Sequence, residues 1–211
     1  MIHTLEDPVE YEFPGIRQTE IREKIGLTFA SSLRALLRQN PDILLVGETR
    51  DAETAQLAVR AALTGHLVLS TLHTNHALAA VPRLRDLGVE GFLLAASLRL
   101  VAAQRLVRRL CAGCKEPHPE NARLCQLHGI PDGRFCRPVG CPACQGRGYR
   151  GRLAIHEVIP AGRFLPLIAA DAPAGELAAL RDREGGATLW QHGLAAAAAG
   201  FTTVEQVARV L

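Results

Sequence analysis

The sequence predicts an α/β protein in which helices pack against a mostly parallel sheet. Three observations carry this. Ile43-Leu44-Leu45-Val46 is an uninterrupted apolar run stopped by Gly47, the pattern of a short strand buried on both faces. Leu67-Val68-Leu69-Ser70 repeats that pattern. Segments with helical periodicity and helix-start signals separate and follow the two runs. With 211 residues, 48% apolar and 21% charged, the chain can build one full domain, or one domain with a small appendage, around a sizeable core.

Taken in order, residues 1–25 read as a strand end and then an irregular loop broken by Pro8, Pro14 and Gly15. Thr28 is placed to cap a helix over 29–39, with Phe29, Leu33, Leu36 and Leu37 on one face and Pro41 as the stop. Asp51 is placed to cap a helix over 52–64, closed by Gly65. A helix over 76–87 is expected before Gly88, in conflict with Pro82, which removes a backbone donor and costs roughly 3 kcal/mol or a kink. Residues 91–110 are expected to form one long helix. The segment 111–150 reads as a metal-stapled loop, and 152–159 alternates like a half-exposed strand. The tail from 161 is helical and alanine-rich, punctuated by Pro166, Pro173 and Gly175.

Several classes are excluded. The apolar content rules out global disorder. The most apolar stretches, such as 92–104, are too short for a membrane span and are interrupted by Arg99. The acidic opening MIHTLEDPVEY lacks the apolar region of a signal peptide. A net charge of +3, without a basic block or aromatic-basic interleaving, does not point to nucleic acid.

Three segments carry candidate chemistry. ILLVGETRD (43–51) delivers Glu48 from the C-terminal end of a buried strand, where open α/β sheets bind ligands. A carboxylate there can hold Mg²⁺ beside phosphates, or Glu48 can simply pair with Arg50. TLEDPVEY (4–11) places Glu6 and Asp7 before Pro8, which favours extended geometry at Asp7 and divergent side chains. One can face a reacting water and the other a metal shell, or both can sit in a solvated acidic turn. HLVLSTLHTN (66–75) ends a strand in polar residues, among them His73, which is placed to meet a terminal phosphate or to be structural.

The six cysteines fall at 111, 114, 125, 136, 141 and 144. Cys111-x-x-Cys114 and Cys141-x-x-Cys144 form two chelating pairs, and four thiolates complete a closed, structural Zn²⁺ site. A redox CxxC is the competing reading. Cys125 and Cys136 have no partner at chelating spacing, and His118 and His128 nearby leave another ligand set open.

Together, TLEDPVEY, LRALLRQNPDILLVGETRD, TAQLAVRAALTGHLVLSTLHTNHA and LVAAQRLVRRLC resemble the secretion and pilus-assembly ATPases: the type II secretion E protein and the type IV pilus extension ATPase. The resemblance is close over 3–114. It resumes at CPACQGRGYRGRLAIHEVI and over 188–211, and is weakest over 115–140 and 160–187. It implies a RecA-like P-loop NTPase core over 1–110, holding the Asp box, Walker B and His box segments. A tetracysteine zinc insertion over 111–150 and a C-terminal strand and helical subdomain over 151–211 follow.

The resemblance also implies roles. Glu6 would polarise the attacking water, with Asp7 supporting it or the metal shell. Glu48 would hold Mg²⁺ through water, and His73 would sense the γ-phosphate of ATP. Arg34, Arg38 and Arg50 would make interface or phosphate contacts, or else ordinary salt bridges. The partners implied are further copies of the chain in a hexamer and inner-membrane platform proteins, with a cytoplasmic, membrane-peripheral location.

Asn40 and His76 stand where the family commonly has Asp, and Thr49 where it has Ile. No Gly-Lys dipeptide occurs in the chain, so it holds no P-loop. The expectation is a C-terminal half of such an ATPase, inactive alone, with an open sheet edge. A non-catalytic, zinc-stapled interaction module is the alternative; a zinc-ribbon nucleic-acid module has only the cysteines in its favour.

Overall fold

The computed structural model describes all 211 residues, which divide into two units. One comprises 1–74, 78–101 and 160–180; the other comprises 75–77, 102–159 and 181–211.

In the first unit, strands β1 (Ile2–Glu6), β2 (Arg17–Glu20), β3 (Ile43–Val46) and β4 (Leu67–Ser70) form one sheet in the order β2-β1-β3-β4. Every neighbouring pair is parallel, with Leu5 beside Val46 and Val46 beside Ser70. The C-terminal ends of three adjacent strands therefore lie side by side.

Helix α1 (Phe29–Leu37) begins at Thr28, whose side chain accepts from the Ser31 N–H in a capping box. Helix α2 (Ala52–Leu63) begins at Asp51, which accepts from Thr54 N–H. Phe29, Leu33 and Leu36 of α1 and Ala58 and Ala61 of α2 close over Leu5, Leu44 and Val46, forming the core of this sheet. Both sequence-predicted caps and the amphipathic face of α1 are present. Asn40 adopts φ 52, a left-handed conformation that asparagine tolerates.

Three expectations change here. Residues 1–25 hold two strands rather than a strand end and loop; β2 (RQTE) is a polar edge strand with no apolar run to announce it. β4 is not buried on both faces: it is the sheet's last strand, with Leu67 and Leu69 half exposed and Val68 packed on the core. Pro82 causes no conflict, because residues 77–79 form a 3₁₀ turn and helix α3 spans Ala80–Asp86. Pro82 is then in the first helical turn, where its missing N–H has no intrahelical partner to lose.

The long helix expected over 91–110 is two elements. Helix α4 (Gly91–Ser97) ends where Leu98 turns extended, and strand β5 (Leu100–Leu110) follows. Val101, Ala103 and Val107 are buried while their neighbours face outward, a period of two hidden in a run of strong helix formers. Pairing with β8 (Tyr149–Pro160) overrides the local propensity. Helix α6 (Leu165–Ala169) packs on α4, and Arg85 donates to the carbonyl of Ile168 in its last turn and to that of Ala172 just beyond.

In the second unit the segment 111–150 is more than a loop. β6 (Glu116–Pro117) pairs antiparallel with β7 (Cys136–Arg137), and helix α5 (Asn121–His128) lies between them in sequence. Cys125 of α5 and Phe135 join Leu194, Ala197 and Ala198 of α8 (Leu189–Ala198) in a small core. The tail is helical as expected: α7 (Ala174–Arg183), α8 and α9 (Val204–Ala208). Thr202 binds the Arg108 carbonyl at 2.8 Å, anchoring the residues before α9 to β5.

Candidate functional site

Parallel topology brings the three sequence-predicted segments to one edge of the sheet. Glu6 ends β1, Glu48 lies two residues beyond β3, and His73 lies three residues beyond β4. The exits are stitched together. Gly47 N–H donates to the Leu5 carbonyl at 2.7 Å, and Thr71 Oγ1 donates to the Gly47 carbonyl at 2.5 Å. A Cβ on Gly47 would lie 2.7 Å from the Leu5 oxygen, so this crossing requires glycine. Thr49 is buried, with its hydroxyl 2.7 Å from Ser70 Oγ.

Glu48 is the centre of the cluster. Its side chain is 13% exposed; one oxygen lies 2.5 Å from Arg50 Nη2 and the other contacts His73 Nε2. That second oxygen is shielded from solvent, with the His73 ring against it. The hydrogen bond from Arg50 holds the Glu48 carboxyl below its ordinary value; burial opposes this, and the nearby His73 adds to it. Arg50 is raised in turn, chiefly by Glu48 and to a lesser degree by Asp7, which places Asp7 within electrostatic reach of the cluster.

Glu6 stands apart from this pair. Its Oε1 accepts from Thr4 Oγ1 at 2.5 Å and from Gln18 Nε2 at 2.9 Å. Arg34 pairs with Glu53 in the first turn of α2, and Arg38 is the exposed C-cap of α1; neither touches Glu6, Glu48 or His73. Sequence reading missed Thr4 and Gln18. Thr4 shares a strand face with Glu6 two residues on, and Gln18 lies opposite Thr4 on β2. Alternation along β1 was the signal available for Thr4; Gln18 had none until β2 was placed.

The cysteine centre lies wholly in the second unit. The sulfurs of Cys111, Cys114, Cys141 and Cys144 all lie within 4.8 Å of one another. Cys111–Cys141 is 3.9 Å, and Cys114–Cys144 and Cys141–Cys144 are 3.8 Å. Four sulfurs about 2.3 Å from a tetrahedral zinc are about 3.8 Å apart, so the donor set fits that ion with no open position. Backbone N–H groups of Gly140, Cys141 and Gly148 donate to the sulfurs at 3.2–3.3 Å. Gly148, at φ 72, lets the chain pass Pro138 where a Cβ would lie 2.4 Å away.

Burial pushes the Cys144 thiol up, but the Cys141 and Gly148 N–H donors, together with hydrogen bonds from the Cys114 and Cys141 side chains, bring it down to about 6. Burial dominates at Cys114 and raises it to about 11. Cys125 and Cys136 stand outside the cluster: Cys125 donates to the Gly133 carbonyl and Cys136 to that of Arg134.

The model of the type II/IV secretion system protein family matches residues 1–209. Type II secretion system protein E of Pectobacterium carotovorum subsp. carotovorum is 52% identical over 99% of this chain and 42% of its own length. Type IV pilus assembly ATPase PilB of Thermus thermophilus is 50% identical over 97% of the chain and 24% of its own length. The crystal structure of the pilus retraction motor PilT with bound ADP superposes with a TM-score of 0.71 at 27% identity, covering all of this chain and 52% of that one. The chain thus spans about two fifths of the secretion-protein relative and a quarter of the pilus ATPase. No helix is long and apolar enough to cross a membrane.

Proposed function

The chain belongs to the type II/IV secretion system protein family, and from that premise we propose that it is the part of a secretion or pilus-assembly ATPase that activates water and holds the metal. The observation that carries the reading is the convergence of Glu6, Glu48 and His73 on adjacent C-terminal strand ends, the crevice where open α/β sheets bind phosphates.

Each residue has a task in this reading. Glu48, held ionised by Arg50, offers its shielded oxygen to a hydrated Mg²⁺. Bound Mg²⁺-ATP supplies the phosphoryl group and the cation that neutralises its charge. Glu6 takes a proton from water at Oε2, its Oε1 being occupied by Thr4 and Gln18. His73, released from Glu48, turns toward the terminal phosphate. Arg50, with a side chain 60% exposed, is free to reach a phosphate or a neighbouring copy, and Arg34 and Arg38 are assigned to contacts between copies in a hexamer. The cysteine centre holds Zn²⁺ as a structural staple. The assembly works peripherally at the cytoplasmic face of the inner membrane, against platform proteins. The boundaries 1–110, 111–150 and 151–211 divide these tasks into core, zinc insertion and C-terminal subdomain.

These 211 residues contain no Gly-Lys dipeptide to form a phosphate-binding loop, so tested alone they are expected not to turn over ATP. The test is a graft. This chain replaces the matching segment of the Pectobacterium protein, and Mg²⁺-dependent hydrolysis is measured with and without Glu6→Gln. The reading predicts hydrolysis that Glu6→Gln lowers by at least a hundredfold. A folded graft whose hydrolysis survives Glu6→Gln contradicts it.

A further inference from the structure

The network behind Glu6 assigns a role to a residue outside the three motifs. Gln18 lies on the polar edge strand β2, opposite Thr4. Its amide oxygen accepts from Phe13 N–H at 2.7 Å, and its amide nitrogen donates to the Tyr11 carbonyl and to Glu6 Oε1, both at 2.9 Å. This set of partners fixes the amide's orientation. A flipped amide would set NH₂ against a backbone N–H and its oxygen against two acceptors.

Both lone-pair directions of Glu6 Oε1 are then used, by Gln18 and by Thr4 Oγ1 at 2.5 Å. Oε2 has no hydrogen bond within the chain. A glutamate with three free torsions loses orientational freedom when one oxygen is pinned from two directions, and the other oxygen is left as the single proton-accepting position. The same amide anchors the loop that follows β1. That loop carries Tyr11, 76% exposed, and Phe13, 56% exposed.

We propose that Gln18 is a positioning residue for Glu6: its N–H₂ aims the carboxylate, its C=O holds the 7–16 loop, and the two are coupled through one amide. The catalytic meaning rests on the reading of Glu6 as the water-polarising group; the coupling itself does not.

Three substitutions separate the two halves of the amide. Gln18→Glu keeps an acceptor for Phe13 but repels Glu6. Gln18→Lys keeps a donor for Glu6 but offers Phe13 no acceptor. Gln18→Leu removes both. The 211-residue chain is labelled with ¹³C and ¹⁵N. Side-chain three-bond couplings of Glu6 report whether it holds one rotamer, and Phe13 amide exchange reports the loop. Amide exchange in β1 and β3 checks that the sheet is intact.

The expected result is one Glu6 rotamer in the parent and in Gln18→Lys, with averaging in Gln18→Glu and Gln18→Leu. Phe13 exchange should accelerate about five- to tenfold in Gln18→Lys and Gln18→Leu, and stay near the parent rate in Gln18→Glu. A general loosening of the edge strand would not produce this crossed pattern. Equal Glu6 couplings in the parent, Gln18→Glu and Gln18→Leu overturn the proposal, as does averaging in the parent itself. Neither result depends on ATP turnover, so the proposal can fall while the graft experiment upholds Glu6, and the reverse.

Discussion

The strand-end cluster and the cysteine centre are built on opposite principles. The cysteine centre draws all four donors from two short stretches, 111–114 and 141–144, and turns every sulfur inward. Its backbone donors, its glycine turns and its sulfur spacing serve one closed polyhedron. The strand-end cluster gathers residues 6, 48 and 73 from the ends of three separate strands, and it leaves groups open: Glu6 Oε2, which has no hydrogen bond within the chain, and an Arg50 side chain 60% exposed. A closed donor set makes a staple. An open one needs further groups to do chemistry.

The largest expected effect separates the two directly. Stripping metal with a strong chelator at neutral pH should cost the cysteine unit most of its fold, since structural zinc contributes about 10 kcal/mol or more in small sites. Hydrogen exchange should rise across 111–150 while the amides of β3 and β1 stay protected. Uniform loss of protection would show that the staple is not confined to its own unit.

Leu44→Ala inverts that comparison. Leu44 is 1% exposed in the core beneath the strand ends, so truncation should cost about 2–5 kcal/mol in denaturant melts. Zinc content should be unchanged. Asp51→Ala removes the cap that fixes the start of α2, directly after Arg50, and should cost about 1 kcal/mol.

The smallest effect is in the pH dependence. Glu48 is held below its ordinary value in the folded chain, so its pairing stabilises above the unfolded pKa and is lost as pH falls through the folded one. The stability gap between the parent and Glu48→Gln should therefore be constant above about pH 5 and close as pH drops below 4. Because Arg50 is mostly exposed, its size should be about 1 kcal/mol or less. A gap that widens toward low pH would contradict the assignment.

The two regions also differ in how far the sequence discloses them. The cysteine centre was legible from spacing alone, because ligands close in sequence carry their geometry with them. β3, the caps Thr28 and Asp51, and the buried face of α1 were legible for the same local reason. The strand-end residues are individually ambiguous in the sequence: Glu48 does pair with Arg50, and it also meets His73. Only the parallel register brings them to one edge of the sheet. Gln18 was silent because a polar edge strand has no apolar run, and β5 was misread because Ala, Leu and Arg favour helix until β8 pairs with them.

The most direct test of this contrast is to measure zinc content and Mg²⁺-dependent ATP turnover on the same purified 211-residue sample. The account predicts about one zinc per chain and no turnover above a Glu6→Gln control: a self-sufficient staple beside a site that needs phosphate-binding groups from elsewhere. Turnover that Glu6→Gln abolishes would contradict it, by showing that these residues hold the phosphates unaided.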